Sequence, residues 1–280
     1  MEGSVRGALV AYELGEKALV EEHLMPCFGR AAIENDLGAR QDGRQDMWRK
    51  AEFKVASFDV AKTDSCYVVS VAYETIGYAA DVRMKYEVYA DGTLILTESM
   101  ADAGKLAEAP MLPRFGLNFA MNGAYSTFEF FGYGPHENYI DRTSSALVGH
   151  YVQRVEDQYH YGYVRPQESG TKTHIKWMRV MDDNGAGFEI RSDVKFSASA
   201  LPFTWKEMDV RVLDDNQAHS LDLKSKAFEN ERSLGKTWVN VDMAQMGLAC
   251  VNSWGAWPLE QYRVNAQPYE FRFVLAPVNN

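Results

Sequence analysis

Cysteine is scarce in this 280-residue sequence. The three cysteines, Cys27, Cys66 and Cys250, lie far apart, and no two of them form a Cys-x-x-Cys pair. An odd number of cysteines with this spacing argues against a disulfide framework and against a zinc site. We therefore expect no metal ligand in this chain.

Long apolar runs are also missing. The first residues, MEGSVRGALVAYELGEK, contain no apolar stretch of signal-peptide length, and no run of about eighteen apolar residues occurs anywhere. We expect no membrane partner, no signal peptide in this chain, and a cytoplasmic or periplasmic location. Because the sequence leads at once into the strand-like segment ALVAYEL, we expect a chain that is truncated at its N-terminal edge.

Positive charge is in deficit. Lysine and arginine number 29 against 39 aspartates and glutamates, which gives a formal net charge of −10. A field of this sign repels phosphate backbones, so nucleic acid is excluded as an expected partner. The content of 46% hydrophobic and 24% charged residues is that of a globular protein and excludes a disordered chain.

Standard catalytic signatures are absent from the sequence. There is no Gly-x-Ser-x-Gly elbow, phosphate loop, His-Glu-x-x-His motif or glycine-rich dinucleotide turn, which removes support for the hydrolases, kinases and dehydrogenases that use them. Acidic residues are plentiful, so counting alone does not exclude a carboxylate pair for glycoside hydrolysis. The dipeptide Asn230-Glu231 lies in the charged run FENERSLGK, which we interpret as a solvated turn.

What the sequence does contain is strand periodicity. In residues 82–100, VRMKYEVYADGTLILTESM, two alternating runs flank Asp91-Gly92 and predict a β-hairpin. Similar runs occupy residues 52–60, 66–75, 114–121, 125–132, 174–180, 188–198, 237–243 and 269–277. The sequence therefore predicts an all-β fold, a large antiparallel two-layer β-sandwich, in a single domain over residues 1–280.

Two exceptions to this β pattern are predicted. A short stretch around residues 204–212 is the best helical candidate in the chain. Residues 35–50, NDLGARQDGRQDMWRK, are interpreted as a long polar surface loop.

Two segments concentrate polar and aromatic residues. Residues 131–142 read FGYGPHENYIDR, and residues 159–170 read YHYGYVRPQESG. Sugar recognition uses such mixtures, because rings stack on apolar sugar faces while polar groups bind hydroxyls. The alternative is that they brace loops, with Asp141 and Arg142 in ion pairs and Glu168 held by backbone amides.

A third segment, residues 251–258, carries two indoles around a turn of small residues. Trp254 and Trp257 are each either a stacking platform for a ligand or part of the interior of the sandwich.

Taken together, these segments resemble the carboxy-terminal β domain of the large β-galactosidases of glycoside hydrolase family 2, also called the β-galactosidase small chain. The resemblance covers most of the chain. Its most specific parts are GYGPHENYIDR (132–142), YVRPQESG (163–170) and VNSWGAWPLEQYRV (251–264). Near the start, residues 30–36 read RAAIEND where the family usually reads RAPTDND.

This resemblance implies a supersandwich of the galactose mutarotase-like type, with the catalytic glutamates in a separate (β/α)₈ barrel. It implies no catalytic residue and no cofactor in this chain, with Mg²⁺ and Na⁺ expected in the complete enzyme. The implied partners are the catalytic barrel or large subunit and a galactoside such as lactose. The residue that matches the family's sugar-binding tryptophan is Trp254, whereas Trp257 lacks a direct counterpart and is expected to be structural.

Two other functions compete with an inactive accessory domain. A mutarotase-like aldose epimerase needs an acid and a base, for which His136 with Glu137, or His160 with Glu168, are the candidates. A non-catalytic carbohydrate-binding module would differ from the accessory domain in needing no barrel.

Overall fold

Strands dominate the computed structural model, which describes residues 7–14, 17–75, 80–104, 106–209, 219–223, 235–249, 251–252 and 254–278. The strands are β1 (Tyr12–Leu14), β2 (Lys17–Val20), β3 (Glu22–Cys27), β4 (Phe53–Lys62), β5 (Cys66–Thr75), β6 (Ala80–Tyr89), β7 (Leu94–Asp102), β8 (Arg114–Asn122), β9 (Thr127–Gly134), β10 (Leu147–Arg154), β11 (Lys172–Met181), β12 (Gly187–Leu201), β13 (Lys236–Gln245) and β14 (Tyr269–Val278). Three short helices, α1 (Glu34–Gly38), α2 (Gln41–Arg44) and α3 (Asp46–Arg49), follow β3. Single 3₁₀ turns occur at Leu106–Glu108, Val155–Asp157 and Glu260–Tyr262.

The hairpin predicted at Asp91-Gly92 is confirmed. Strands β6 and β7 pair antiparallel up to Val88 opposite Leu94. Gly92 has φ +85°, a conformation that glycine adopts without steric cost, and the Asp91 carboxylate accepts a hydrogen bond of 2.9 Å from the Thr93 amide. Alternate residues of both strands are buried, because successive side chains of a strand point to opposite faces.

Strands β3 to β14 form one antiparallel sheet that folds into two layers. The larger layer has the order β10-β9-β11-β12-β14-β7-β6-β5-β4, and the smaller one joins β12 to β13, β8 and β3. The 15-residue strand β12 belongs to both layers, since residues 187–191 pair with β14 and residues 197–201 pair with β13. One large apolar cluster draws on strands of both layers, including β6, β7 and β14 from the first and β8 and β13 from the second.

The fold class predicted from the sequence is confirmed by this all-β antiparallel architecture. The limits of the single domain, residues 1–280 with a truncated N-terminal edge, stay a prediction. Among the described residues, no helix combines the length and the apolarity that crossing a membrane requires.

The interpretation of residues 35–50 as a polar surface loop is wrong. These residues form α1, α2 and α3, and Asp36, Gln45, Trp48 and Arg49 are buried within them. The prediction failed because it assumed that the polar residues of this segment are solvated, whereas several of them are buried and form internal hydrogen bonds. The Trp48 indole, for example, donates a 2.8 Å hydrogen bond to the Pro110 carbonyl.

The predicted helix at residues 204–212 is also wrong over its described part. Residues 205–208 form a turn, and residues 210–212 lie outside the described structure. The turn is held by Glu207, whose carboxylate accepts hydrogen bonds from the Thr204 amide at 2.7 Å and its hydroxyl at 2.9 Å. A threonine and a glutamate three residues apart can accept hydrogen bonds from free backbone amides at the start of a turn as well as at the start of a helix.

Candidate functional site

Trp254 is the most exposed large apolar side chain among those of the described residues, with 88% of its surface accessible. It lies on the tryptophan loop, which we define as residues 246–258. The Asn252 side chain accepts hydrogen bonds from the Trp254 amide at 2.9 Å and from the Ala256 amide at 3.3 Å. The backbone on both sides of the indole is therefore fixed while the ring itself faces solvent.

Asn35 of helix α1 ties the tryptophan loop together. Its Nδ2 lies 3.1 Å from the Leu248 carbonyl oxygen and 2.8 Å from each of the Ala249 and Asn252 carbonyl oxygens. Its Oδ1 accepts a hydrogen bond of 3.0 Å from the Gly255 amide. One side chain thus satisfies backbone groups on both sides of Trp254.

Arg30 and Asp36 fix the start of the loop. The buried Arg30 guanidinium donates to the Met246 carbonyl and, at 3.3 Å, to the Gly247 carbonyl. Asp36 holds this guanidinium, with 3.1 Å between Nη2 and Oδ1, and also accepts a 3.1 Å hydrogen bond from the Ile33 amide. Arg30 and Asp36 of the segment RAAIEND therefore hold the start of the tryptophan loop in place. The sequence alone did not predict this role.

Asp141 supplies a third anchor from a different motif. Its carboxylate accepts hydrogen bonds of 2.9 Å from the consecutive amides of Leu248 and Ala249. Ala249 has φ +57°, which is uncommon for a residue with a side chain, and the two hydrogen bonds stabilise this conformation. The expectation that Asp141 is held in an ion pair is wrong, because backbone amides satisfy it.

Close backbone contact completes the support of the loop. Gly255 has φ +91°, and a Cβ added there would lie 2.4 Å from the carbonyl carbon of Gly38 at the end of α1. A small apolar cluster of Ile33, Tyr139 and Leu248 packs the same three segments together. The sequence places these segments far apart, and the fold brings them into one site.

The polar motif around Glu137 acts as a brace. Glu137 accepts hydrogen bonds from the Ser169 hydroxyl at 2.7 Å, the Gly170 amide at 2.8 Å, the Tyr163 hydroxyl and the Arg142 guanidinium. Burial raises the pKa of this carboxyl, but the four donors outweigh burial and leave the pKa below its ordinary value. The ion pair expected for Arg142 is present, with Glu137 as its partner.

Glu168 is braced differently from the expectation. Its carboxylate contacts the Arg114 guanidinium at 3.1 Å and the Thr171 hydroxyl at 3.0 Å, so side chains and not backbone amides hold it. The structure therefore favours bracing over sugar binding for the carboxylates of both polar motifs.

The acid and base pairs considered for a mutarotase are not assembled in the described structure. His136 and His160 are both exposed, and no hydrogen bond joins either ring to Glu137 or Glu168. Each carboxylate is occupied by other donors, and Glu168 is only 3% exposed. Asn230-Glu231 and Ser253 lie outside the described residues.

Trp257 differs from Trp254 in its surroundings. The guanidinium groups of Arg44 and Arg263 each lie 5.4 Å from its ring centroid, and 36% of its surface is accessible. Two cation–π contacts of this kind stabilise a ring in place. The structural role expected for Trp257 stays a prediction.

Comparison with known sequences identifies the family. The family model described as "Beta galactosidase small chain" matches residues 3–275. The chain belongs to the β-galactosidase small-chain family, as the sequence motifs indicated. A β-galactosidase of Halalkalibacterium halodurans is 32% identical over 273 residues, covering 95% of this chain and 25% of the relative. One from Priestia megaterium is 29% identical over 276 residues, covering 98% of this chain and 25% of the relative.

The chain thus spans about a quarter of the length of the curated relatives that it matches. Among solved structures, an α-galactosidase of Geobacillus stearothermophilus aligns with a TM-score of 0.40 and 7% identity, over 82% of this chain and 28% of that one. A galactose mutarotase related enzyme of Lactobacillus acidophilus aligns with a TM-score of 0.36 and 8% identity, over 83% and 73%.

Proposed function

We propose that this chain is the accessory β domain of a β-galactosidase, which closes over a separate catalytic barrel and presents Trp254 to the bound galactoside. The observation that carries the proposal is the indole of Trp254, 88% exposed on a loop that Asn35, Arg30 and Asp141 all anchor. An apolar ring that is held rigidly in solvent is suited to stack on a ligand brought by a partner.

The family membership and the length of the relatives support the same proposal. The chain matches only a quarter of each β-galactosidase, so the remaining three quarters of such an enzyme are available to supply the catalytic carboxylates. In the described part of this chain, the carboxylates of the polar motifs are engaged in braces, and Glu168 is buried in an ion pair. In this proposal, the present domain stacks on the sugar and the catalytic partner cleaves the glycosidic bond.

Stacking contributes to affinity without moving a proton. A ring that contacts substrate and transition state equally lowers KM and leaves kcat nearly unchanged. Loss of the Trp254 ring should therefore raise KM for lactose about tenfold, which corresponds to about 1.4 kcal/mol, with a much smaller change in kcat.

The test is steady-state kinetics of Trp254→Ala in the assembled enzyme, made from this chain and its catalytic partner. Phe58→Ala is the matched control, because Phe58 is another exposed aromatic ring, 56% accessible, on strand β4. We expect Phe58→Ala to leave KM unchanged. An unchanged KM in Trp254→Ala would contradict the proposal, as would an equal fall of kcat in both variants.

A further inference from the structure

A cleft lies on the smaller layer of the sandwich. It has a volume of about 260 Å³ and is lined by β3, β8, β13, helix α3 and the turn at residues 204–206. This volume is close to the lower end of the range of ligand sites, about 300–1,000 Å³. None of the groups described above as anchors of Trp254 lines it.

Trp238 provides an open aromatic wall. Its neighbours in β13, Thr237 and Val239, are fully buried, so Trp238 points to the opposite face of the strand, where it is half-buried. Its ring makes no stacking or cation–π contact with a described residue. The indole face is therefore free to receive a ligand.

Trp205 forms another wall, and the close packing of Gly29 permits its position. A Cβ at Gly29 would lie 2.8 Å from Cζ2 of the Trp205 ring, so only glycine allows the ring to approach this closely. The Arg49 guanidinium and the Lys206 ammonium each lie 5.7 Å from the ring centroid of Trp205. Trp205 is thus fixed by packing and charge before any ligand arrives.

Polar groups with unused hydrogen-bonding capacity line the same cleft. The Nε2 atom of His23 is buried and has no hydrogen-bond partner among the described residues. Asn118 donates from Nδ2 to the Val239 carbonyl at 3.2 Å and to Asn240 Oδ1 at 3.0 Å, which leaves its own Oδ1 without a described donor. The exposed Lys206 makes no ion pair within the described residues. The Asn118 side-chain oxygen and the Lys206 ammonium are therefore available to the hydroxyls of a ligand.

The register of the strands places these groups side by side. Trp238 lies opposite Ala120 of β8, and Asn118, two residues before Ala120, points to the same face. Asn118 in turn lies opposite Met25 of β3, which also lines the cleft. An aromatic platform and an amide therefore share one face as diagonal neighbours on adjacent strands, about 7–8 Å apart.

We propose that this cleft is a second carbohydrate site, which binds a hexopyranose ring against Trp238 with its hydroxyls on Asn118 and Lys206. A pyranose presents an apolar face for stacking and a rim of hydroxyls for hydrogen bonds, which is the chemistry that the cleft offers. No aspartate or glutamate of the described chain lines it, and glycoside hydrolysis uses a pair of carboxylates. The site binds a sugar without cleaving it, and it does not depend on the function proposed for Trp254.

The test uses the six tryptophans of the chain as reporters. Indole N–H signals of the ¹⁵N-labelled chain are assigned by single substitutions and followed by NMR during titration with methyl β-D-galactopyranoside and methyl β-D-glucopyranoside. We expect the signals of Trp238 and Trp205 to shift in a saturable way with at least one sugar, with a Kd on the order of 1 mM. If neither sugar shifts these two signals, or if only Trp254 responds, the proposal is overturned.

Variants locate the site. Trp238→Ala should weaken binding at least about tenfold, whereas Phe58→Ala, which removes an exposed aromatic ring outside the cleft, should leave the affinity unchanged. Lys206→Ala tests the same site without disturbing the core, because Lys206 is exposed and its ammonium makes no hydrogen bond with a described residue, and it should weaken binding several-fold. Retained affinity in both Trp238→Ala and Lys206→Ala would overturn the assignment.

Discussion

A buried acidic group in the sandwich core predicts how the stability of this chain depends on pH. Glu98 of β7 is completely buried, and neither of its carboxylate oxygens has a hydrogen-bond partner in the described structure. Burial raises the pKa of this carboxyl well above its ordinary value, and the nearby Asp242 raises it further. The folded chain therefore keeps Glu98 protonated at pH values at which the unfolded chain has released this proton.

The surroundings of Glu98 explain why its charge is not compensated. The Arg114 guanidinium is shared by two other carboxylates, lying 3.1 Å from Glu168 and 3.4 Å from Asp242. Burial also raises the pKa of the Asp242 carboxyl. The Arg114 guanidinium lowers this pKa and the Glu168 carboxylate raises it, and the result is a pKa of about 7. One cation among three buried acids is balanced only when two of the acids carry protons.

The sign of the effect follows from proton binding. The pKa of Glu98 is higher in the folded chain than in the unfolded chain. Its contribution to the unfolding free energy is therefore fully present below the unfolded pKa of about 4.3 and is lost as the pH rises through the folded pKa. The loss is about 1.4 kcal/mol per pH unit for each such group. Glu98→Gln removes the ionisable group, so its unfolding free energy relative to that of the parent should increase between about pH 5 and pH 7, by at most about 1.4 kcal/mol per pH unit.

The measurement is urea unfolding of the parent chain and of Glu98→Gln at several pH values, followed by tryptophan fluorescence. Burying the glutamine amide has a cost that does not depend on pH. This cost changes the difference in unfolding free energy between the variant and the parent equally at every pH, so the slope of that difference against pH is unaffected. Glu52→Gln, a substitution at an exposed site, is the control and should give a difference that does not change with pH. A flat difference for Glu98→Gln over this range would refute the reasoning.

Three further predictions concern the tryptophan loop and the isolated chain. Asn35→Ala removes hydrogen bonds to four backbone groups and should lower the unfolding free energy by about 2 kcal/mol and speed amide hydrogen exchange at Gly255; unchanged exchange would contradict the anchoring role. Gly255→Ala should destabilise the fold by more than about 1 kcal/mol in urea unfolding, whereas Gly43→Ala, whose added Cβ contacts nothing within 4 Å, should not. The chain alone should neither release glucose from lactose nor accelerate anomer exchange of α-galactose in proton NMR; either activity would contradict the accessory role.

Alternation of apolar residues predicted much of the β architecture correctly. The hairpin of β6 and β7 was found because one face of each of its strands is buried, which imposes a period of two. Strands β2, β3 and β10 were missed. β3 is short and contains Pro26, and β10 is an edge strand on which Leu147, Val148 and Val152 are exposed, so neither shows a clear buried face.

The sequence by itself determined the fold class and the family, because these depend on local periodicity and on motifs that are contiguous in the chain. Only the tertiary structure decided what Asn35 and Asp141 do, since their partners lie in the tryptophan loop, more than a hundred residues away in sequence. The same holds for the cleft at Trp238, whose walls come from elements that are far apart in sequence, and for Glu98, whose pKa depends on burial and on Asp242. Burial and hydrogen bonding between distant segments are properties of the folded chain, and no local pattern encodes them.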